Sequence, residues 1–157
     1  MGLQERGRSG FAAGLLIVLL TLGPGPDVSA DSAQSGKTGL IDEAAAIEQT
    51  IRGQIDSFRS NNAKAAFSAA APAIQDRFGT AERFIAMVRQ GYPVVVDPTS
   101  IEFQPLIKGV NGSRVQPVLM SDAQGMLWMV TYSLTRDARG QWRINGVQQK
   151  RTNSNFI

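Results

Sequence analysis

The hydrophobic pattern of this chain changes period once. Up to Gly91 the apolar residues recur at three- and four-residue steps, the spacing of one helix face. Beyond Tyr92-Pro93 they alternate, the spacing of a strand. Helices gathered first and strands second do not make the alternating units of a parallel sheet. They indicate an α+β fold, with N-terminal helices packed on a curved antiparallel sheet.

The helical half is read from its stripes and stops. Leu40 to Asn61 is the clearest helix, with Ala44, Ile47, Ile51, Ile55 and Phe58 in one apolar stripe. Glu43, Glu48, Gln49, Arg52, Asp56 and Arg59 mostly take the other side. Gly53 lies inside it and costs about 1 kcal/mol relative to Ala. Asn61-Asn62 ends the helix and can cap the next. Ala63 to Ala71 is a short helix carrying Phe67, stopped by Pro72, and Ile74 with Phe78 marks a further turn. Thr80 is a good N-cap for a helix to about Gln90, with Phe84, Met87 and Val88 as its apolar stripe and Gly91 as its stop.

The strand half starts with a short extended piece, Val94 to Val96, and continues through Ile101 and Phe103. Asn111-Gly112 is a hairpin turn signal. Arg114 to Met120 is the next strand, and Pro117 within it argues for an edge or a bulge. Met126 to Thr135 is a long strand with Met126, Trp128, Val130, Tyr132 and Leu134 on one face and Leu127, Met129, Thr131 and Ser133 on the other. Gln141 to Gln149 follows, with Trp142, Ile144 and Gly146 sharing a face. The long helix has one apolar stripe, so it should lie across one face of this sheet and leave a concave cavity at the open end.

The first thirty residues have the three parts of a secretory signal. Arg6 and Arg8 precede an uncharged apolar run from Phe11 to Leu22, broken by Gly23-Pro24-Gly25-Pro26. Val28-Ser29-Ala30 supplies the small residues that a signal peptidase needs, so cleavage is expected after Ala30. A spanning helix needs about 20 apolar residues, and this run has twelve. The expectation is therefore a periplasmic or secreted protein with no transmembrane anchor after cleavage. Residues 31–39, rich in Ser, Gly and Gln, read as a flexible leader. One domain over residues 40–150 and a polar tail at 151–157 complete the chain.

Chemistry is limited by what is missing. The chain has no Cys and no His. Ser-His-Asp, Cys-His and zinc-cluster sites cannot be built within it, and no metal or cofactor is expected. No disulfide can form, so stability must come from packing. Ser35-Gly36-Lys37-Thr38 looks like the end of a phosphate loop, but position 31 is Asp where the pattern needs Gly. Asn111-Gly112-Ser113 fits a glycosylation pattern and is fully explained by the turn. Lys and Arg total 16 against 13 Asp and Glu, a mildly basic balance. The densest basic region, Arg136, Arg139, Arg143, Lys150 and Arg151, reads as a solvated face. No aromatic platforms interleave with it, and no nucleic-acid partner is expected.

Several stretches together resemble a known family: Ile51 to Phe58, Ala65-Ala66-Phe67, Ala71-Pro72-Ala73-Ile74, Phe78-Gly79, Gly91-Tyr92-Pro93-Val94, Gly125-Met126-Leu127-Trp128 and Trp142-Arg143-Ile144-Asn145-Gly146. Over roughly Ile47 to Gln149 the chain resembles the exported bacterial proteins of domain of unknown function 4864. That family is placed within the nuclear transport factor 2-like (SnoaL-like, cystatin-like) superfamily. The resemblance implies a cone-shaped α+β fold and assigns no activity. The family pattern often has Cys after the final Gly; Val147 stands here, so no role that needs a thiol transfers.

Three functions are weighed. A noncatalytic small-ligand-binding or accessory domain of the bacterial envelope would hold a small apolar molecule, and its lining candidates are Phe58, Phe84, Met87, Tyr92, Phe103, Trp128, Tyr132 and Trp142. Any one of these residues is more often plain core. A small acid/base enzyme, isomerase- or dehydratase-like, would need Asp56, Asp97 or Asp122 as base and Tyr92 or Tyr132 as donor. All three Asp positions suit caps, turns or surface better. A homodimeric assembly module would pair through the outer sheet face, with Leu119, Leu127 and Met129 as its apolar patch.

Overall fold

A computed structural model of the protein describes residues 28–152, with side chains from Gly39 onward. The apolar run Phe11 to Leu22 and the end of the polar tail lie outside these residues. Five helices come first: α1 (Val28–Arg59), α2 (Ala63–Ser68), α3 (Pro72–Phe78), α4 (Ala81–Gly91) and α5 (Pro93–Val96). Five strands follow: β1 (Ser100–Phe103), β2 (Ile107–Lys108), β3 (Arg114–Ser121), β4 (Leu127–Arg136) and β5 (Trp142–Arg151). The fold is α+β, with an antiparallel sheet ordered β1-β3-β4-β5 and β2 paired on the β1 side of β3.

The stripe on α1 anchors the fold. Ile47, Ile51, Ile55 and Phe58 are buried and join Val118, Met120, Val130, Tyr132, Leu134 and Ile144 in one core. The helix starts well before Leu40, so residues 31–39, read above as a leader, carry helical backbone. Gly53 is exposed and nothing lies within 4 Å of where its Cβ would be. The helix tolerates that glycine; no close approach requires it. Asn61 closes α1 in the left-handed region at φ 57°, a conformation Asn accepts more readily than most residues. Asn62 caps α2 by accepting from the Ala65 N–H at 3.0 Å. Thr80 caps α4 by accepting from the Arg83 N–H at 3.3 Å.

Three expectations need correction. Val94 to Val96 is helical, not extended. Pro93 sits at the first helical position, where its fixed φ favours a turn. Val94 and Val95 are both buried, which a strand would prevent by sending neighbours to opposite faces. Second, Gly146 does not share the face of Trp142 and Ile144. Ser133 pairs with Gly146 and Leu134 with Ile144, so Asn145 is the extra residue of a β-bulge. The bulge shifts the phase and turns Val147, which pairs with Tyr132, to the inner face.

Third, Pro117 lies in the interior strand β3, not at an edge or a bulge. Its carbonyl accepts from the Gln104 N–H at 3.0 Å, so its backbone polar groups point toward the gap between β1 and β2. In a regular ladder that pair would exchange a second bond, from residue 117 to the Gln104 carbonyl. Proline has no N–H to give. The buried Gln116 side chain supplies it instead: its Nε2 donates to Gln104 O at 2.6 Å and to Pro117 O at 2.9 Å.

Gln116→Leu should therefore strand the Gln104 carbonyl and cost about 1–2 kcal/mol in urea denaturation. Adding Pro117→Val, which restores a backbone donor, should recover at least half of that loss. A double variant no more stable than the single one would refute this account of the pair.

Candidate functional site

The more enclosed and more apolar of two concavities lies between α3, α4 and the bulged part of β5, with Gln54 and Phe58 of α1 also reaching it. Its volume is about 360 Å³. Each wall has a local cause. Pro72 opens α3 and presents Ile74, Arg77 and Phe78. The Thr80 cap starts α4 in register to bring Phe84, Met87 and Val88 inward. The bulge brings Asn145, Gly146 and Val147 to the same cavity. The α2–α3 connection is tied to β5 by Ala71 N–H to Ile144 O at 2.8 Å and Ile144 N–H to Ala69 O at 2.9 Å. Phe84 is the aromatic centre, with Phe67 at 5.3 Å, Phe78 edge-on at 5.6 Å and Phe58 at 6.3 Å between ring centroids.

Of the eight lining candidates, the structure brings together Phe58, Phe84, Met87 and Tyr92. The other four stand apart. Phe103 lies under the Arg52 guanidinium, 4.5 Å from the ring centroid. Trp128 donates from its indole to Asp122 Oδ2 at 2.9 Å, and Arg151 stacks on its ring. Tyr132 is fully buried core; its hydroxyl has no partner among the described residues, and burial raises its pKa. Trp142 borders a separate groove. The sequence reading missed Gln54, Ile74, Arg77, Phe78 and Asn145. Gln54 carried a signal, since it stands three residues after Ile51 and four before Phe58, on the stripe itself. It is buried and donates to Ala66 O at 3.1 Å.

The separate groove runs along α1 beside Lys108 and the β4–β5 turn, with a volume of about 870 Å³. Three of its charged residues, Glu43, Arg136 and Arg143, have ion-pair partners. Glu43 accepts from Arg114 Nε at 2.9 Å and lies 3.8 Å from Arg136. Arg136 also stacks on Trp142 at 4.5 Å. Arg143 is held by Asp137 at 2.8 Å. The basic cluster read from the sequence is thus partly spent: Arg136, Arg143 and Arg151 all have protein partners. Among the described residues no group of three or more Asp or Glu gathers as a metal site would require, and no helix is long and apolar enough to cross a membrane.

Helices over one face of an antiparallel sheet, with an apolar cavity between them, define a small α+β domain built around an internal concavity. The chain belongs to the family described as Domain of unknown function (DUF4864), whose model matches residues 41–157. No curated protein and no solved structure matches it.

None of the candidate bases faces the cavity. Its lining holds no Asp and no Glu. Asp56 and Asp97 are exposed, and both pair with Arg59. Asp122 organises the β3–β4 turn, accepting from Trp128 and from the N–H groups of Gln124 and Met126. The Trp128 hydrogen bond is the largest cause holding its carboxyl below the ordinary value, with the backbone donors and Arg151 adding to it and partial desolvation opposing. A base needs the opposite shift. Asp137 repeats the device at the β4–β5 turn, lowered chiefly by the Gln141 N–H and then by Arg143.

A carboxylate whose pKa is depressed by folding stabilises the fold above its unfolded value and loses that contribution as pH falls through the depressed one. Asp122→Asn should therefore unfold at a lower temperature than the parent at neutral pH. The gap should close as pH drops below the ordinary value of 3.8. A gap that stays constant with pH in a thermal-melt series would show that the carboxylate charge plays no part.

Proposed function

We propose that this protein is a noncatalytic binding domain of the bacterial envelope, exported from the cytoplasm, that holds one small apolar molecule between α3, α4 and β5. The cavity lining carries this reading. It is largely aromatic and aliphatic, with Gln54, Arg77, Tyr92 and Asn145 as polar exceptions, and it has no carboxylate. Such a lining suits orientation of an apolar ligand by a few polar groups. It gives acid/base chemistry no base. The Arg6-Arg8 segment, the apolar run and Val28-Ser29-Ala30 support export to the periplasm or beyond. The order of helices before a meander, with α1 across the inner face, supports a nuclear transport factor 2-like cone.

The test is a titration with 1-octanol followed by methyl NMR. Met87, Val88 and Val147 should shift together and saturate. Val147→Phe, which fills the cavity from β5, should weaken binding at least tenfold while leaving the melting temperature close to the parent's. Shifts scattered over the surface, or a filled variant that binds as well as the parent, would overturn the reading.

The outer sheet face favours self-association as well. Leu119 and Met129 are cross-strand partners there, Leu127 is adjacent across from Ser121, and all three are half-buried on the face away from the α1 core. We propose a homodimer through this face. Light scattering should give twice the chain mass, and Met129→Lys should return it to one; a parent that stays monomeric at high concentration disproves the dimer.

A further inference from the structure

One of the polar exceptions in the cavity lining is a cation at its rim. Arg77 lies on the last turn of α3 and lines the cavity. Its guanidinium carbon stands 6.0 Å from the centroid of Phe78, another lining residue, so the charge lies beside an aromatic wall. The arginines of the neighbouring groove have carboxylates beside them, Arg143 that of Asp137 and Arg136 that of Glu43, which it shares with Arg114. Among the described residues no carboxylate lies within ion-pair distance of Arg77. An apolar hole with an uncompensated charge at its edge is electrostatically one-sided.

The bulge adds a second polar group to the same cavity. Asn145 is the residue it inserts; it is exposed and lines the cavity. Bulges commonly re-aim a side chain in this way. An amide donor and a guanidinium edging one apolar cavity match a planar anion, for which Arg provides a forked pair of donors.

Volume sets the size of the ligand. About 360 Å³ holds on the order of a dozen heavy atoms at roughly 30 Å³ each, the share of a liquid water molecule. We infer that the cavity takes a medium-chain or arylalkyl carboxylate, with the apolar part against Phe78, Phe84 and Met87 and the carboxylate on Arg77 and Asn145. This rests on the binding function proposed above and names its ligand class.

The experiment compares sodium octanoate with 1-octanol, two probes of nearly equal apolar length, on the full chain after signal removal. Octanoate should bind about tenfold more tightly than octanol, the gain expected of one partly exposed charge-assisted contact. Arg77→Met should erase that advantage, bringing octanoate affinity down about tenfold to the level of octanol for the same variant. Arg77→Lys should keep part of it, and added salt should shrink it in the parent. Equal affinity of the two probes for the parent, or an Arg77→Met variant that still prefers octanoate, overturns the carboxylate inference while the apolar cavity stands. Failure of both probes to bind at the cavity overturns the binding function and this inference together.

Discussion

Everything in this fold depends on one helix stripe lying on one sheet face. Ile47, Ile51, Ile55 and Phe58 are buried against the inner residues of β3, β4 and β5, with no cysteine to form a disulfide and, among the described residues, no clustered ligand set to assist. Burying such side chains contributes about 1.5–3 kcal/mol each. The remaining helices extend that contact. Phe67, Phe78 and Phe84 continue the core from Phe58. Among the described residues no helix covers the outer face, where Leu119 and Met129 stay half-buried. The asymmetry is already present in β4, whose alternating residues are apolar on the inner face and mixed on the outer one.

What was legible in the sequence followed from periodicity and from turn chemistry. The α1 stripe, the Asn62 and Thr80 caps and the Asn111-Gly112 turn are local signals with local causes. Asn111 and Gly112 both have positive φ, as that turn requires. The failures share a different origin. α5 is helical because Val94 and Val95 must both face inward, a demand set by tertiary packing. The phase of β5 is set by the bulge at Asn145, and a bulge is a property of two strands in register. Pro117 is accommodated by Gln104 and Gln116, two residues whose meeting depends on how β1 docks on β3. Three of the four lining candidates that meet at the cavity, Phe58, Phe84 and Met87, were found because α1 and α4 obey helical spacing. Arg77, in the last turn of α3, and Asn145, at the β5 bulge, were missed because an exposed polar residue looks the same in sequence whether it borders solvent or a cavity.

The cavity results from the same misfit between elements. A strand in unbroken phase would carry Trp142, Ile144 and residue 146 inward together. The bulge ends that run and places Gly146 opposite Ser133, where an added Cβ would lie 2.9 Å from the serine Oγ. On the inner side of the bulge α3 and α4 close over β5, beside the parallel bridge from Ala70 to Ile144. Fold and concavity thus have a common cause, and the concavity is not a packing defect spread at random through the core.

The two concavities differ in what a ligand would have to displace. In the larger groove, Glu43 and Arg114 already satisfy each other, with side chains only 11% and 17% exposed. A ligand competing for either must break a partly buried ion pair and leave the other charge uncompensated, a loss of several kcal/mol in comparable cases. The smaller cavity sets no such condition. Its apolar lining releases water on binding, which is favourable in itself. Its Arg77 has no ion-pair partner to surrender among the described residues. Size favours the groove and free energy favours the cavity, and affinity follows free energy. That ordering is why the smaller space, between the helices and the bulged strand, is the site on which a function for this family should be sought.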